Sequence, residues 1–208
     1  MAKAIDDCAA AWKDTMPNAE GLPCDMFLKA SFATTAVFDL LGSIVSQVSK
    51  DINSNANKLR KATGSDSGST LEQIIAAEVA AAGGDASKAA KEGSAALALL
   101  WLARYLRLVE VMLATMVNEP QLALRDCIRS GYDTALKPHH NFLTRKTLGA
   151  AIYASPDRAF FYGRLGTDTE GCAASIQEML SSYAPIMRRA HDYLAGLGLE
   201  AAPPAAAA

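Results

Sequence analysis

The sequence predicts a single all-α domain. Three observations carry that reading. Apolar residues recur at three- and four-residue steps, β-branched runs are few with no convincing strand among them, and glycines and prolines divide the chain into helical blocks. With 208 residues, half of them hydrophobic, the chain can bury one sizeable core. Residues 1–200 are expected to form the domain and the Ala/Pro tail 201–208 to be disordered.

Taken in order, residues 4–14 form a short amphipathic helix that stops before Pro17. A long helical block runs from about Asp25 to Lys61, with a bend expected near Gly42. The stretch T-G-S-D-S-G-S-T at 63–70 is a loop by composition, and Ser69-x-x-Glu72 is a capping-box pattern that starts the next helix. Gly83-Gly84-Asp85 ends that helix and caps its successor. Residues 95–117 are apolar nearly all round, which marks a central, buried helix. Helices follow over 121–136 and 139–154, and Pro156 opens a short turn. Thr167 or Asp168 caps a long final helix that Pro185 is expected to kink.

Composition removes several function classes. Net charge is -2, which gives no electrostatic footprint for nucleic acid. Cys8, Cys24, Cys127 and Cys172 have no C-x-x-C spacing, so they read as reduced thiols of a cytosolic protein. The N-terminus carries acids where a signal peptide needs an apolar stretch. The longest uncharged apolar run, around Ala95–Ala103, falls short of the roughly 20 residues of a membrane span. His139, His140 and His191 form no Glu-x-x-His or His-x-x-x-His pattern, and there is no G-x-S-x-G elbow. No metal, cofactor or catalytic chemistry is expected.

Two segments depart from an ordinary helical core. In the first, Leu41, Ile44, Val45, Val48, Ile52 and Leu59 form one helix face. At about 100° per residue, Asn55 falls inside that stripe, Asp51 at its edge and Lys58 just beyond. A solvated surface helix would account for Asp51 and Lys58. A polar head-group site set in an apolar wall would account for all three, because a buried polar group without a partner costs on the order of 2–7 kcal/mol. The second segment, 137–164, carries Lys137, Arg145, Lys146, Arg158 and Arg164 against the single acid Asp157. Phe142, Tyr153, Phe160, Phe161 and Tyr162 are interleaved with them. Cations among aromatics suit a lipid head-group interface, and a solvated helix over core aromatics suits them equally. Trp101, three residues before Arg104 in the buried helix, has the same two readings, core or site.

The order of these signals resembles the glycolipid transfer protein family from about residue 25 to 195. D-I-N-S-N-A-N-K is similar to the family's Asp-x-x-x-Asn-x-x-Lys head-group helix, which places those roles on Asp51, Asn55 and Lys58. L-L-W-L-A-R-Y-L-R is similar to its tryptophan helix, which places the sugar-stacking platform on Trp101. Y-D-T-A-L-K-P-H-H-N-F resembles the segment with the amide-binding histidine, and the register selects His140 over His139. A-A-I-Y-A-S-P-D-R-A-F-F resembles the family's tyrosine–proline turn.

The resemblance implies a two-layer all-α sandwich of about eight helices. It implies one sphingolipid bound between the layers and non-enzymatic transfer between membranes by a cytosolic monomer that touches membranes peripherally. An ionised Asp51 accepts from the amide N–H and a hydroxyl, and a donating ring nitrogen of His140 serves the amide carbonyl. Val48, Leu108, Leu136, Leu148 and Phe161 are expected in the apolar tunnel by family register. Phe142, Tyr153, Lys137, Arg145 and Lys146 are expected to face the membrane, with Phe142 where the family carries a tryptophan.

The phosphate-binding branch uses two arginines at positions that here read Leu97 and Trp101, so a sugar head group is expected before a phosphate. The tail has no counterpart of the family's C-terminal aromatic. The rivals are a ceramide-1-phosphate carrier, in which Lys58 and a nearby arginine meet the phosphate, and a helical protein-interaction module.

Overall fold

The computed structural model describes residues 3–39, 46–64, 68–165 and 169–200. Those residues hold ten α-helices and no strand. They are α1 (Lys3–Asp14), α2 (Cys24–Asp39), α3 (Ser46–Thr63), α4 (Leu71–Ala81) and α5 (Ala86–Ala89). A second group follows, α6 (Ala95–Asn118), α7 (Leu124–Ala135), α8 (Phe142–Tyr153), α9 (Arg158–Leu165) and α10 (Thr169–Gly196). A 3-10 turn, Lys137–His139, joins α7 to α8. The expected bend at Gly42, the apolar positions Leu41, Ile44 and Val45, the cap at Thr167 or Asp168 and the tail 201–208 lie outside the described residues.

α6 is the central element, as its composition predicts. It packs on α3, α7 and α10, while α1 joins α10 to α2 and α2 joins α3. Its start is fixed twice: the Ser94 hydroxyl accepts from Leu97 N–H, and the Glu78 carboxylate accepts from Ala95 and Ala96 N–H at 2.8 Å each. These acceptors satisfy three amides that a helix start otherwise leaves unpaired. Against α7 the backbones come very close. A Cβ on Gly131 would stand 2.5 Å from the Leu108 carbonyl oxygen, so glycine is what permits the approach.

The α4 cap differs from expectation by one residue. Thr70, not Ser69, is the N-cap, and its box partner is Gln73. Glu72 turns instead to a longer-range task, accepting from Leu22 N–H and from Arg189 Nε. A register slip of one residue is invisible to a pattern in which Ser-Thr is followed by Glu-Gln. The final helix runs through Pro185 as one element.

Arg158 is also placed otherwise than its charge suggests. It does not join a basic surface. Its five N–H groups donate to the carbonyls of Met116, Glu119 and Leu122, to the Tyr162 hydroxyl and to Cys127 Sγ, at 2.7–3.2 Å. The guanidinium therefore ties α9 to the end of α6 and to the loop that follows it.

Candidate functional site

A cavity of about 400 Å³ opens beside α6. Its walls come from five helices at helical steps. α3 supplies Val48 and Asp51, α6 supplies Tyr105 and Leu108, α7 supplies Ile128 and Tyr132, and Leu136 and His140 flank the 3-10 turn. α8 closes the remaining side with Leu143, Leu148 and Ile152 among others, and Phe38 of α2 completes it. The lining is mostly apolar and the polar groups are few, the composition of sites that hold an apolar ligand in one orientation. Four of the five expected tunnel residues, Val48, Leu108, Leu136 and Leu148, stand on this wall. Phe161 does not. It is fully buried in the core on α9, with its ring 6.3 Å from that of Tyr162.

The polar groups gather around Asp51. The Tyr105 hydroxyl donates to its Oδ2 at 2.8 Å and the Gln47 amide donates to its Oδ1 at 3.0 Å. Burial, with the Asp51 carboxylate second, pushes the Tyr105 phenol far above its ordinary pKa. Tyr105 therefore stays a donor through the physiological range, and Asp51 accepts from it. Each carboxylate oxygen keeps lone-pair capacity beyond the one bond it accepts.

His140 faces the same space, with its Nδ1 3.4 Å from the Tyr132 hydroxyl. Burial holds its pKa below the ordinary histidine value, against an upward pull from Asp51. The ring is thus neutral near pH 7, and the tautomer that accepts Tyr132 at Nδ1 carries its proton on Nε2.

Trp101 lies against this group without lining the cavity. Its indole is 20° from parallel to the His140 ring, with centroids 6.0 Å apart. The Tyr105 ring lies 6.2 Å away on the same helix, four residues on. Trp101 is only half-buried, which leaves part of its surface open to a ligand. Asp51, Tyr105, Trp101 and His140 therefore form one continuous group. Asn55 is buried one turn along α3, its amide donating to the Asp51 carbonyl at 2.9 Å. Lys58 is exposed a further turn on and does not line the cavity.

The family model of glycolipid transfer protein (GLTP) matches residues 22–167. The chain belongs to the glycolipid transfer protein family. A glycolipid transfer protein of Danio rerio is 32% identical over 170 residues, covering 76% of this chain and 79% of that one. The crystal structure of HET-C2, a fungal glycolipid transfer protein, superposes with a TM-score of 0.77 at 28% identity, over 88% of this chain and 92% of that. The fold is also shared with Arabidopsis ACD11 in complex with C12 ceramide-1-phosphate, at a TM-score of 0.81 and 24% identity, over 95% and 96% of the two chains. The all-α glycolipid-transfer fold expected from the sequence is the fold of this chain.

Beyond the residues named from family register, the structure adds a contact from the chain's far end. Glu200 accepts from Arg104 Nε, and both side chains are only 11% exposed. The other Glu200 oxygen lies 3.9 Å from His139 Nε2. The Arg104 guanidinium in turn stands 5.0 Å over the Trp101 ring. A glutamate thus reaches the neighbourhood of Trp101 and His139. Gln47, Tyr105 and Tyr132 are further additions. Tyr105 carried a readable signal, since it follows Trp101 by four residues and shares its helix face.

The expected membrane-facing residues fall on one exposed stretch. Phe142 is 81% exposed and Tyr153 70%, with Leu143 at 71% between them in sequence. Arg145 and Lys146 are exposed on the same helix, while Lys137 pairs with Asp133 at 3.0 Å. Ile152 is the one buried residue of α8. The wall that α8 contributes is therefore far less packed than the α6–α7 wall opposite.

Among the described residues, no group of three or more His, Cys, Asp or Glu side chains could hold a metal ion. No helix among them is long and apolar enough to cross a membrane.

Proposed function

We propose that the chain binds one glycosphingolipid at a time and transfers it between membranes without catalysis. Residues 1–200 act as one cytoplasmic, monomeric carrier that meets membranes peripherally. The observation that supports this reading best is the joining of an apolar cavity to Asp51 and neutral His140. A ceramide amide drawn from a bilayer brings one N–H and one C=O. Asp51 can only accept and His140 Nε2 can donate, so the pair matches the amide in both senses. Trp101 offers the C–H face of a sugar a flat surface, and Asn55 and Lys58 continue along α3 as partners for its hydroxyls.

Chains supply most of the binding energy. At about 0.8 kcal/mol per CH₂, roughly 30 methylenes need about 24 kcal/mol of replacement burial. A cavity of about 150 Å³ accepts the six carbons of benzene. By that scale the cavity of about 400 Å³ takes roughly 16 carbons, close to one chain. Seating the second chain requires a wall to part, and α8 is the wall with the least packing. Its exposed Phe142, Leu143 and Tyr153, with Arg145 and Lys146, would meet the membrane during that opening.

The test is vesicle transfer of galactosylceramide or glucosylceramide in competition with ceramide-1-phosphate of matched chains. Faster transfer of the glycolipid is expected, and equal or faster transfer of the phosphate lipid would overturn the sugar assignment. A ceramide-1-phosphate carrier is the second reading, favoured by the guanidinium of Arg104 over Trp101. Mass spectrometry of the denatured protein separates either carrier from a helical interaction module, which would carry no lipid.

A further inference from the structure

We infer that Glu200 is a specificity-determining residue: it occupies Arg104 beside the Trp101 platform and so excludes an anionic head group from it. The inference rests on the carrier reading above and adds to it the device that sets head-group charge.

Arg104 lies one helical turn beyond Trp101, its guanidinium 5.0 Å from the indole centroid. It stands over the platform and is nearly buried, with 11% of its side chain exposed. A guanidinium in that position is costly unless an anion pairs with it. It is also the group best shaped to grip a phosphate, by two parallel N–H bonds. Left to itself, Arg104 would invite a phosphate to the surface on which a sugar is to stack.

Glu200 removes that invitation. Its carboxylate accepts from Arg104 Nε, is equally buried, and keeps its second oxygen 3.9 Å from His139. The other charges facing this region do not compensate. Asp51 is an acid, burial holds His139 and His140 in their neutral forms, and the cations Arg145, whose charge reaches His140, and Lys58 are both exposed and absent from the cavity wall. A phosphate arriving at Trp101 thus meets a cation already neutralised and two carboxylates, Glu200 and Asp51. A neutral hexose meets neither obstacle. The distance in sequence is part of the design, because an acid 96 residues after Arg104 depends on docking of the segment that follows α10 against α6.

The experiment measures the ratio of ceramide-1-phosphate to galactosylceramide transfer in Glu200→Gln and Arg104→Gln, with helical circular dichroism as the folding control. Glu200→Gln keeps the shape and removes the charge, and the ratio should rise about tenfold, equivalent to about 1.4 kcal/mol. Arg104→Gln leaves the carboxylate uncompensated, and the ratio should fall. The double variant should lose the gain seen in Glu200→Gln.

A pair that only holds the fold together would lower both lipids alike and leave the ratio unchanged in both variants, and that result overturns the inference. A second arm needs no lipid. Inorganic phosphate is titrated into wild type and Glu200→Gln while tryptophan fluorescence is followed, since Trp101 is partly exposed and Trp12 is fully buried. Phosphate should bind the variant at least about tenfold more tightly, and equal binding counts against the inference. Should wild type move neither lipid, the carrier reading fails, and the phosphate titration still decides the role of Glu200.

Discussion

The Tyr105 hydroxyl donates to Asp51 Oδ2 across the α3–α6 contact at 2.8 Å, and it does so from a phenol that burial holds protonated. Asp51 is thereby aimed before any ligand arrives. Tyr105→Phe removes the donor and keeps the ring. A hydrogen bond to a charged group contributes about 1.5–3 kcal/mol, so affinity for a short-chain glycosylceramide should fall roughly 10- to 100-fold with the helical spectrum unchanged. Unaltered affinity in a direct binding titration would show that Asp51 is positioned by its other contacts.

Trp101→Ala should abolish most glycolipid transfer while preserving helical circular dichroism. The side chain is half-buried and stacked on His140, not sealed in the core like Trp12. A large fall in thermal stability with proportionate loss of transfer would place Trp101 in the core instead.

Phe142→Ala should weaken vesicle association and slow transfer, yet leave binding of a soluble short-chain glycolipid nearly unchanged. Phe142 is 81% exposed and absent from the cavity wall. Equal losses in the two assays would defeat a docking role.

Gly131→Ala tests the rigid side of the cavity. The added methyl would meet the Leu108 carbonyl at 2.5 Å, so α7 must shift away from α6. Overpacking of this kind costs about 1–3 kcal/mol, readable as a lower melting temperature. A variant as stable as wild type would mean that the two helices part without penalty.

His139, His140 and His191 share one direction of shift. Burial is the largest cause in each and holds the folded pKa below the ordinary 6.5. As pH falls, the unfolded chain takes up these protons first, so stability declines from about pH 6.5 downward through the folded values. Thermal melts between pH 7.5 and 5 should record the decline. His191→Gln, at the most buried of the three positions, should make it shallower. A melting temperature that rises on acidification would contradict the sign.

What could be read in the sequence, and what could not, follows from range. α6 is plain because its apolar residues run on all faces, whereas Val48, Leu108, Leu136 and Leu148 are expected on the cavity wall only by the register of the family resemblance. Phe161 is expected in the tunnel and found in the core, because a core phenylalanine and a lining one look alike in sequence. Arg158 looked like surface charge because its acceptors are backbone carbonyls, which every residue has. Glu200 could not have been paired with Arg104 at all, since nothing local marks a partner 96 residues away.

The inward-turned Arg158 also bears on how this chain can diverge. One guanidinium satisfies the carbonyls of Met116, Glu119 and Leu122, and it asks nothing of those residues' side chains. These bonds therefore fix the path of the loop between α6 and α7 whatever side chains its residues carry, although Met116 and Leu122 are also held by the core they pack into. The backbone part of the constraint falls on a single codon, at which lysine, with three donors on one nitrogen, cannot reach three separated carbonyls.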